Sequence, residues 1–399
     1  MKTQEENFSE LYKTIELLEK LVSFDTTSFK SNMALIEYVQ GYLADLGVES
    51  KLFFDDSKQK ANLWATIGPA DRPGIVLSGH TDVVPALEET WKSEPFDLVE
   101  RDHKLYGRGA TDMKGFIACA LALAPELKKR NLPIPFHICL SYDEEVGCLG
   151  VGRMVEGIAN SGAVPMFALI GEPTQMFVVN GQKGKHSMRA KVYGTAGHSS
   201  YAPHHVNAIE YAGRIIQMIS QYADKIAEEG PFDHSFTVPH STMLVTTING
   251  GAATNVTPEY CEFTFEIRHI PEHDGQAVLD DLMKNVEAEL LPQMKAISED
   301  AGIKWEKVFS YPGMGDCLDD EAFDLIRDVL PEVSGKVSYG SEGGIFEKVG
   351  GIPAIICGPG NIEQAHQPNE YVEIDQLDKC LAFLRNVVDA VEKKHANED

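Results

Sequence analysis

The sequence predicts an α/β protein: a mixed, mostly parallel sheet flanked by helices, interrupted by an inserted ferredoxin-like α+β domain. Short apolar runs at 75–77, 136–142, 167–170 and 354–357 recur between helical stretches, the alternation of a parallel sheet with crossover helices. Around Gly181 the order changes to strand, helix, strand, strand, helix, strand, which is the split β-α-β-β-α-β unit. Finally, 399 residues exceed one ordinary core and call for two domains. The expected division is a discontinuous main domain, 1–180 with 312–399, around an insertion at 181–311.

The first two helices are read from apolar spacing: Leu11, Ile15, Leu18 and Leu21 in 8–22, then Ala34, Ile36, Val39, Tyr42 and Leu43 in 32–46. Residues 113–130 read as a crossover helix, apolar on most faces and closed by Lys128-Lys129-Arg130. In the insertion, strands are expected at 186–193, 242–248, 260–270 and 303–309, with helices at 207–227 and 274–290. The stretch 260–268 alternates apolar and polar residues, so one face of that strand is buried. Gly250-Gly251 and the four residues after them fit a hairpin loop longer than two residues. Beyond Tyr311 the strand–helix alternation returns and ends in a helix at 374–391.

Composition narrows the function. The chain is 43% hydrophobic and 24% charged, as globular proteins are. Its formal charge of −26 argues against nucleic acid, whose phosphates need a basic surface. No apolar stretch approaches the ~20 residues that span a bilayer, so no membrane partner is expected. The first seven residues lack the apolar core of a signal peptide. The seven cysteines form no CxxC pair, and several sit inside apolar runs, as free buried thiols do. A reduced, cytoplasmic protein is expected.

The chemistry-bearing residues follow the apolar runs. His80 and Asp82, an HxD pair in Ser78-Gly79-His80-Thr81-Asp82, suggest an imidazole ligand whose second nitrogen is held by a carboxylate; taken alone, such a pair is a solvated loop. Asp112, after Gly107-Arg108-Gly109, is by itself an ordinary helix N-cap, or else a carboxylate offering one oxygen to each of two cations. Glu144 and Glu145 are adjacent acids after a buried run, and they repel each other unless cations or protons intervene. Glu145 as a ligand and Glu144 as the base that deprotonates water would resolve that repulsion. Glu172, His366 and His198 are weak signals singly, while His137 and His103 read as structural or solvated.

Taken together the motifs resemble one family. Ser-Gly-His-Thr-Asp at 78–82, Gly-Arg-Gly-Ala-Thr-Asp-Met-Lys-Gly at 107–115, Asp-Glu-Glu at 143–145, Gly-Glu-Pro-Thr at 171–174 and Gly-His-Ser-Ser at 197–200 look like the M20 metallopeptidases, in order and over nearly the whole chain. The resemblance implies two zinc ions per subunit, with cobalt as a substitute: His80 and Glu172 on one, Glu145 and His366 on the other, and Asp112 bridging. It further implies that Asp82 orients His80, that Glu144 is the general base, and that a cis peptide follows Asp112. His198 resembles a histidine supplied by the partner subunit's inserted domain to the developing oxyanion, which makes the insertion a dimerisation and lid module of a homodimer. Asn255 and Arg268 match positions that hold the substrate carboxylate. The segment 358–371 and the stretch 339–344 look most like the branch that deacetylates N2-acetylornithine, with Ser341 implied as a further substrate contact; Thr111 departs from the Cys common there. The implied activity is amide hydrolysis of an N-acyl amino acid, N2-acetylornithine foremost, with another N-acyl diamino acid, succinyl-diaminopimelate or a dipeptide as the alternative.

Overall fold

The structure is a computed structural model that describes residues 4–87, 90–160 and 162–396. The chain divides into two units: Met1–Gly181 with Met314–Gly335 and Ser341–Asp399, and Gln182–Gly313 with Lys336–Gly340.

The first unit is built on an eight-stranded sheet. In spatial order its strands are Ser50–Phe54, Ala61–Ile67, Phe136–Ser141, Ile75–His80, Phe167–Pro173, Ala354–Gly358, Val178–Gln182 and Val333–Val337. The central four pair parallel to one another, and antiparallel strands flank them. Every residue of those four central strands is buried. Burial on both faces explains why their sequences are continuous apolar runs without alternation. Because the four strands point the same way, their carboxyl ends share one edge of the sheet, where ligands of open α/β sheets bind.

The crossover helix expected at 113–130 begins two residues later, at Gly115, and runs to Lys129. Ala110–Lys114 instead form a single wide turn, with Asp112 at φ −121° and Met113 at φ −136°. The peptide between those two residues is cis. The helix presses against the strand ends, and two glycines permit it. A Cβ on Gly171 would lie 1.9 Å from the Phe116 ring, and one on Gly79 would lie 2.9 Å from Ile117. Larger residues at either position would push the helix away from the strands that carry His80 and Glu172.

The second unit is a four-stranded antiparallel sheet ordered Thr242–Gly250, Tyr260–His269, Gly184–Tyr193, Gly302–Tyr311. With helices Ala208–Glu229 and Gly275–Ile297, this is the ferredoxin-like arrangement. Its core alternates as the sequence indicated: Cys261, Phe263, Phe265 and Ile267 point inward from one strand. At the sheet's edge, the strand Thr242–Gly250 leaves Leu244 and Ile248 more than half exposed. Among the described residues, no helix is long and apolar enough to cross a membrane.

Candidate metal centre

Each central parallel strand delivers its residues to the shared edge. His80 is the last residue of one strand and Glu172 lies near the end of its neighbour. Asp143-Glu144-Glu145 follow the strand ending at Ser141, and His366 lies in the loop after the strand ending at Gly358. Two groups result: His80, Asp112 and Glu172, and Asp112, Glu145 and His366, each with its ligand atoms within 4.8 Å of one another.

Asp112 belongs to both groups through different oxygens. Its Oδ1 lies 3.0 Å from His80 Nε2, and its Oδ2 lies 3.3 Å from His366 Nε2. His80 Nε2 is also 3.7 Å from Glu172 Oε1, and His366 Nε2 is 3.0 Å from Glu145 Oε2. The helix-cap alternative for Asp112 fails, because Asp112 lies inside the wide turn and the crossover helix has Lys114 at its N-cap position. His80, Asp112 and Glu172 are buried, whereas the His366 side chain is half exposed.

The His80 tautomer follows from its surroundings. Its Nδ1 donates to the carbonyl of Asp82 at 2.9 Å, which turns Nε2 toward the carboxylates, where it donates to Asp112 Oδ1 at 3.0 Å and, once deprotonated, is free to bind a cation. This corrects the sequence reading, in which the Asp82 carboxylate held the ring; Oδ1 lies 3.7 Å from Nδ1. The Asp82 carboxylate instead accepts from Ser28 Oγ at 2.8 Å, the Glu144 N–H at 3.0 Å and the Glu145 N–H at 3.3 Å. It therefore ties the loop carrying His80 to the turn carrying the two glutamates. Lys60 Nζ pins that turn from below, 2.5 Å from Asp143 Oδ1. Glu144 is partly buried, and its Oε1 accepts from the Cys148 thiol at 3.3 Å.

The electrostatics of the cluster are those of a site rich in negative charge. Burial pushes Glu172 and Glu144 well above the usual carboxylate range. Burial and the neighbouring Asp112 push Glu145 up to about 7. Hydrogen bonds to Asp112 and Glu145 lift His366 to about 10. Burial works against a charged His80, yet its bond to Asp112 and the charges of Glu172 and Glu144 win and raise it well above normal. Glu172 Oε1 is buried and has no hydrogen-bond partner among the described residues. Buried acids are tolerated when paired or bound to metal. Imidazole and carboxylate donors, an orphaned ligand oxygen and a carboxylate shared by two groups all fit a pair of divalent cations.

The remaining predicted residues lie elsewhere. His198, exposed in the second unit, accepts the Ser200 N–H at Nδ1 at 3.2 Å, which leaves Nε2 as the donor of a neutral ring. The Asn255 carbonyl accepts from Ser199 N–H at 3.1 Å, beside His198. Arg268 is engaged by Glu266 Oε1 at 2.9 Å and by the Ser338 carbonyl at 3.2 Å. In the first unit Ser341 is fully buried and accepts the Gly343 N–H at 3.1 Å. Sequence reasoning missed Ser28, which holds Asp82 across 54 residues, and Cys148, whose place four residues after Glu144 was the one available signal.

Residues 76–390 match the model of peptidase family M20/M25/M40, and the chain belongs to that family of hydrolases. It is 36% identical over 377 residues to an acetylornithine deacetylase of Myxococcus xanthus, covering 93% of this chain and 95% of the relative. An acetylornithine deacetylase of Yersinia pseudotuberculosis is 33% identical over 394 residues, with 98% of each chain covered. The fold is shared with an M20 family metallo-carboxypeptidase of Sulfolobus solfataricus, at TM-score 0.72 and 19% identity over 96% of this chain and 99% of that one. A dinuclear metal binding peptidase of Bacillus subtilis superposes with TM-score 0.66 at 14% identity, over 96% and 98%.

Proposed function

We propose that the chain is a two-cation deacylase that hydrolyses the amide of N2-acetylornithine to acetate and ornithine, a step serving arginine biosynthesis. The observation that carries the reading is Asp112, whose two oxygens face two separate histidine–carboxylate groups. His80 and Glu172 would hold one cation, Glu145 and His366 the other, with Asp112 between them. The donor set suits zinc, and cobalt would substitute. When bound, such ions polarise the acyl carbonyl and bring the pKa of water to ~7.

The protein's own groups supply the remaining chemistry. Glu144 takes the proton of the attacking water and passes it to the departing amine. Asp82 fixes Glu144 by its backbone N–H and His80 through its carbonyl. The partner subunit's His198 would donate from Nε2 to the developing oxyanion. Asn255 and Arg268 bind the substrate carboxylate, Arg268 as a two-pronged donor. Ser341 would add a further contact to the substrate.

The competing substrates are other N-acyl diamino acids, succinyl-diaminopimelate and dipeptides. A succinyl group would need a further cation for its distal carboxylate, and no residue is identified for that task. Rates of amide cleavage across N2-acetylornithine, N2-acetyl-lysine, succinyl-diaminopimelate and a dipeptide test the choice. N2-acetylornithine should lead in kcat/KM by about tenfold, a binding difference of ~1.4 kcal/mol. Chelation should abolish turnover and added Zn2+ or Co2+ should restore it. Faster cleavage of the dipeptide would reassign the substrate, and turnover indifferent to chelator would remove the metal.

A homodimer through the second unit is part of the same proposal. The exposed Leu244 and Ile248 on an edge strand are the kind of surface that pairs with another chain. Light scattering should give about twice the 44.0 kDa of one chain, and Leu244→Glu with Ile248→Glu should halve that mass. A monomeric unsubstituted protein would end this part of the proposal. All seven cysteines are free, in keeping with a cytoplasmic setting.

A further inference from the structure

We propose that Glu370 is a positioning residue that sets the distance between the two ligand-bearing loops and so holds Asp112 against both cation groups; the inference rests on the two-cation reading. Glu370 is 1% exposed and lies four residues beyond His366. Its Oε1 accepts the N–H groups of Thr111 at 3.0 Å and Asp112 at 3.1 Å. Its Oε2 accepts the Gly109 N–H at 3.1 Å and Arg108 Nη1 at 2.7 Å. The backbone adds two more ties, from Gly107 N–H to the Glu370 carbonyl at 3.0 Å and from Thr111 Oγ1 to the Tyr371 carbonyl at 2.5 Å.

The need for this carboxylate comes from the local backbone. Gly109, Thr111 and Asp112 stand at the start of the wide turn Ala110–Lys114, so their N–H groups have no carbonyl from a preceding helical turn. Buried N–H groups must be paired somewhere, and one side chain from a distant loop collects three of them. Its own charge is balanced by Arg108, itself only 3% exposed. The consequence reaches the site, because Asp112 must face His80 with one oxygen and His366 with the other. A shift of the Asp112 backbone, or of the segment that follows His366, opens one of those contacts. Glu370 bonds the Asp112 backbone N–H and not its carboxylate, so its effect would run through Asp112 and the loop spacing.

The test uses the full chain with Glu370→Gln, Glu370→Asp and a control, Glu10→Gln, which weakens the buried pair with Arg385 away from this edge. Cobalt binding is measured by equilibrium dialysis and by the visible absorption of the bound ion, beside kcat, KM and thermal stability. Glu370→Gln should bind its weaker cobalt about 10–100-fold less tightly, the usual cost of losing a group that orients a ligand. Its absorption spectrum should change and its kcat should fall, with KM within about twofold. The control should lose stability while its spectrum and cobalt affinities stay those of the unsubstituted protein. Wild-type affinities and spectrum in Glu370→Gln would overturn the inference. If that variant does not fold, Glu370→Asp decides by the same criterion, since it keeps the charge and withdraws it by one methylene. An unsubstituted chain that takes up no cobalt would overturn the two-cation reading itself, and the inference with it.

Discussion

Glutamine at position 144 is expected to lower kcat about 10³-fold while leaving both cations and the fold in place. The substitution keeps the size of the side chain and an oxygen able to accept from the Cys148 thiol, but it removes the group that can carry a proton. A positioned general base contributes ~10²–10⁴ in rate, and here the same group would serve twice, at water attack and at amine departure. KM should change little, because the role proposed for Glu144 is to act on the water and not to grip the substrate. Steady-state kinetics with metal analysis of the same preparation checks the prediction. A Glu144→Gln protein within a few-fold of the unsubstituted rate, or one that has lost a cation, would remove Glu144 from its role as base. The position of Glu144 depends on Asp82, which accepts both the Glu144 and Glu145 N–H groups. Disturbing that carboxylate should therefore lower kcat as well, by a smaller factor.

The sequence marks the candidate ligands because of how a parallel sheet is made. A strand buried on both faces is an unbroken apolar run, and the residue that ends the run sits at the sheet edge. That position marks His80, Glu172 and the acids at 143–145 as candidates, weak singly, and the motifs taken together make them a set. Asp82 was misjudged for a related reason. The rule that alternate residues point the same way holds only within a strand, and this strand stops at His80. Two residues later the backbone has turned, which brings the Asp82 carbonyl to the imidazole and sends the carboxylate to the glutamate turn. The helix start at 113 failed on burial. Met113 is as buried as the helical residues after it, so apolar spacing could not separate it from them. Glu370 was illegible for another reason: its partner N–H groups lie 258 to 261 residues away, and nothing local marks an acid in a polar loop as their acceptor.

Asparagine at position 112 is expected to do more damage than any change at a residue serving one group alone. An aspartate can offer a charged oxygen to each of two cations; an asparagine offers one neutral oxygen and an amide that repels them. Both groups should weaken together, so cobalt binding should drop at both sites and kcat/KM should fall by about 10³ or more, the rate equivalent of ~4 kcal/mol of lost charge stabilisation. His366→Ala is the informative contrast. His366 is half exposed and belongs to a single group, so its loss should release one cation and leave the set of His80, Asp112 and Glu172 occupied. Titrating cobalt into the two variants and counting bound ions distinguishes them. If the Asp112→Asn protein retains one tight cation while the His366→Ala protein loses two, Asp112 is a terminal ligand and the shared-carboxylate arrangement falls. If the counts run the other way, the two groups are coupled through a single side chain, and the geometry at Asp112 governs the occupancy of both.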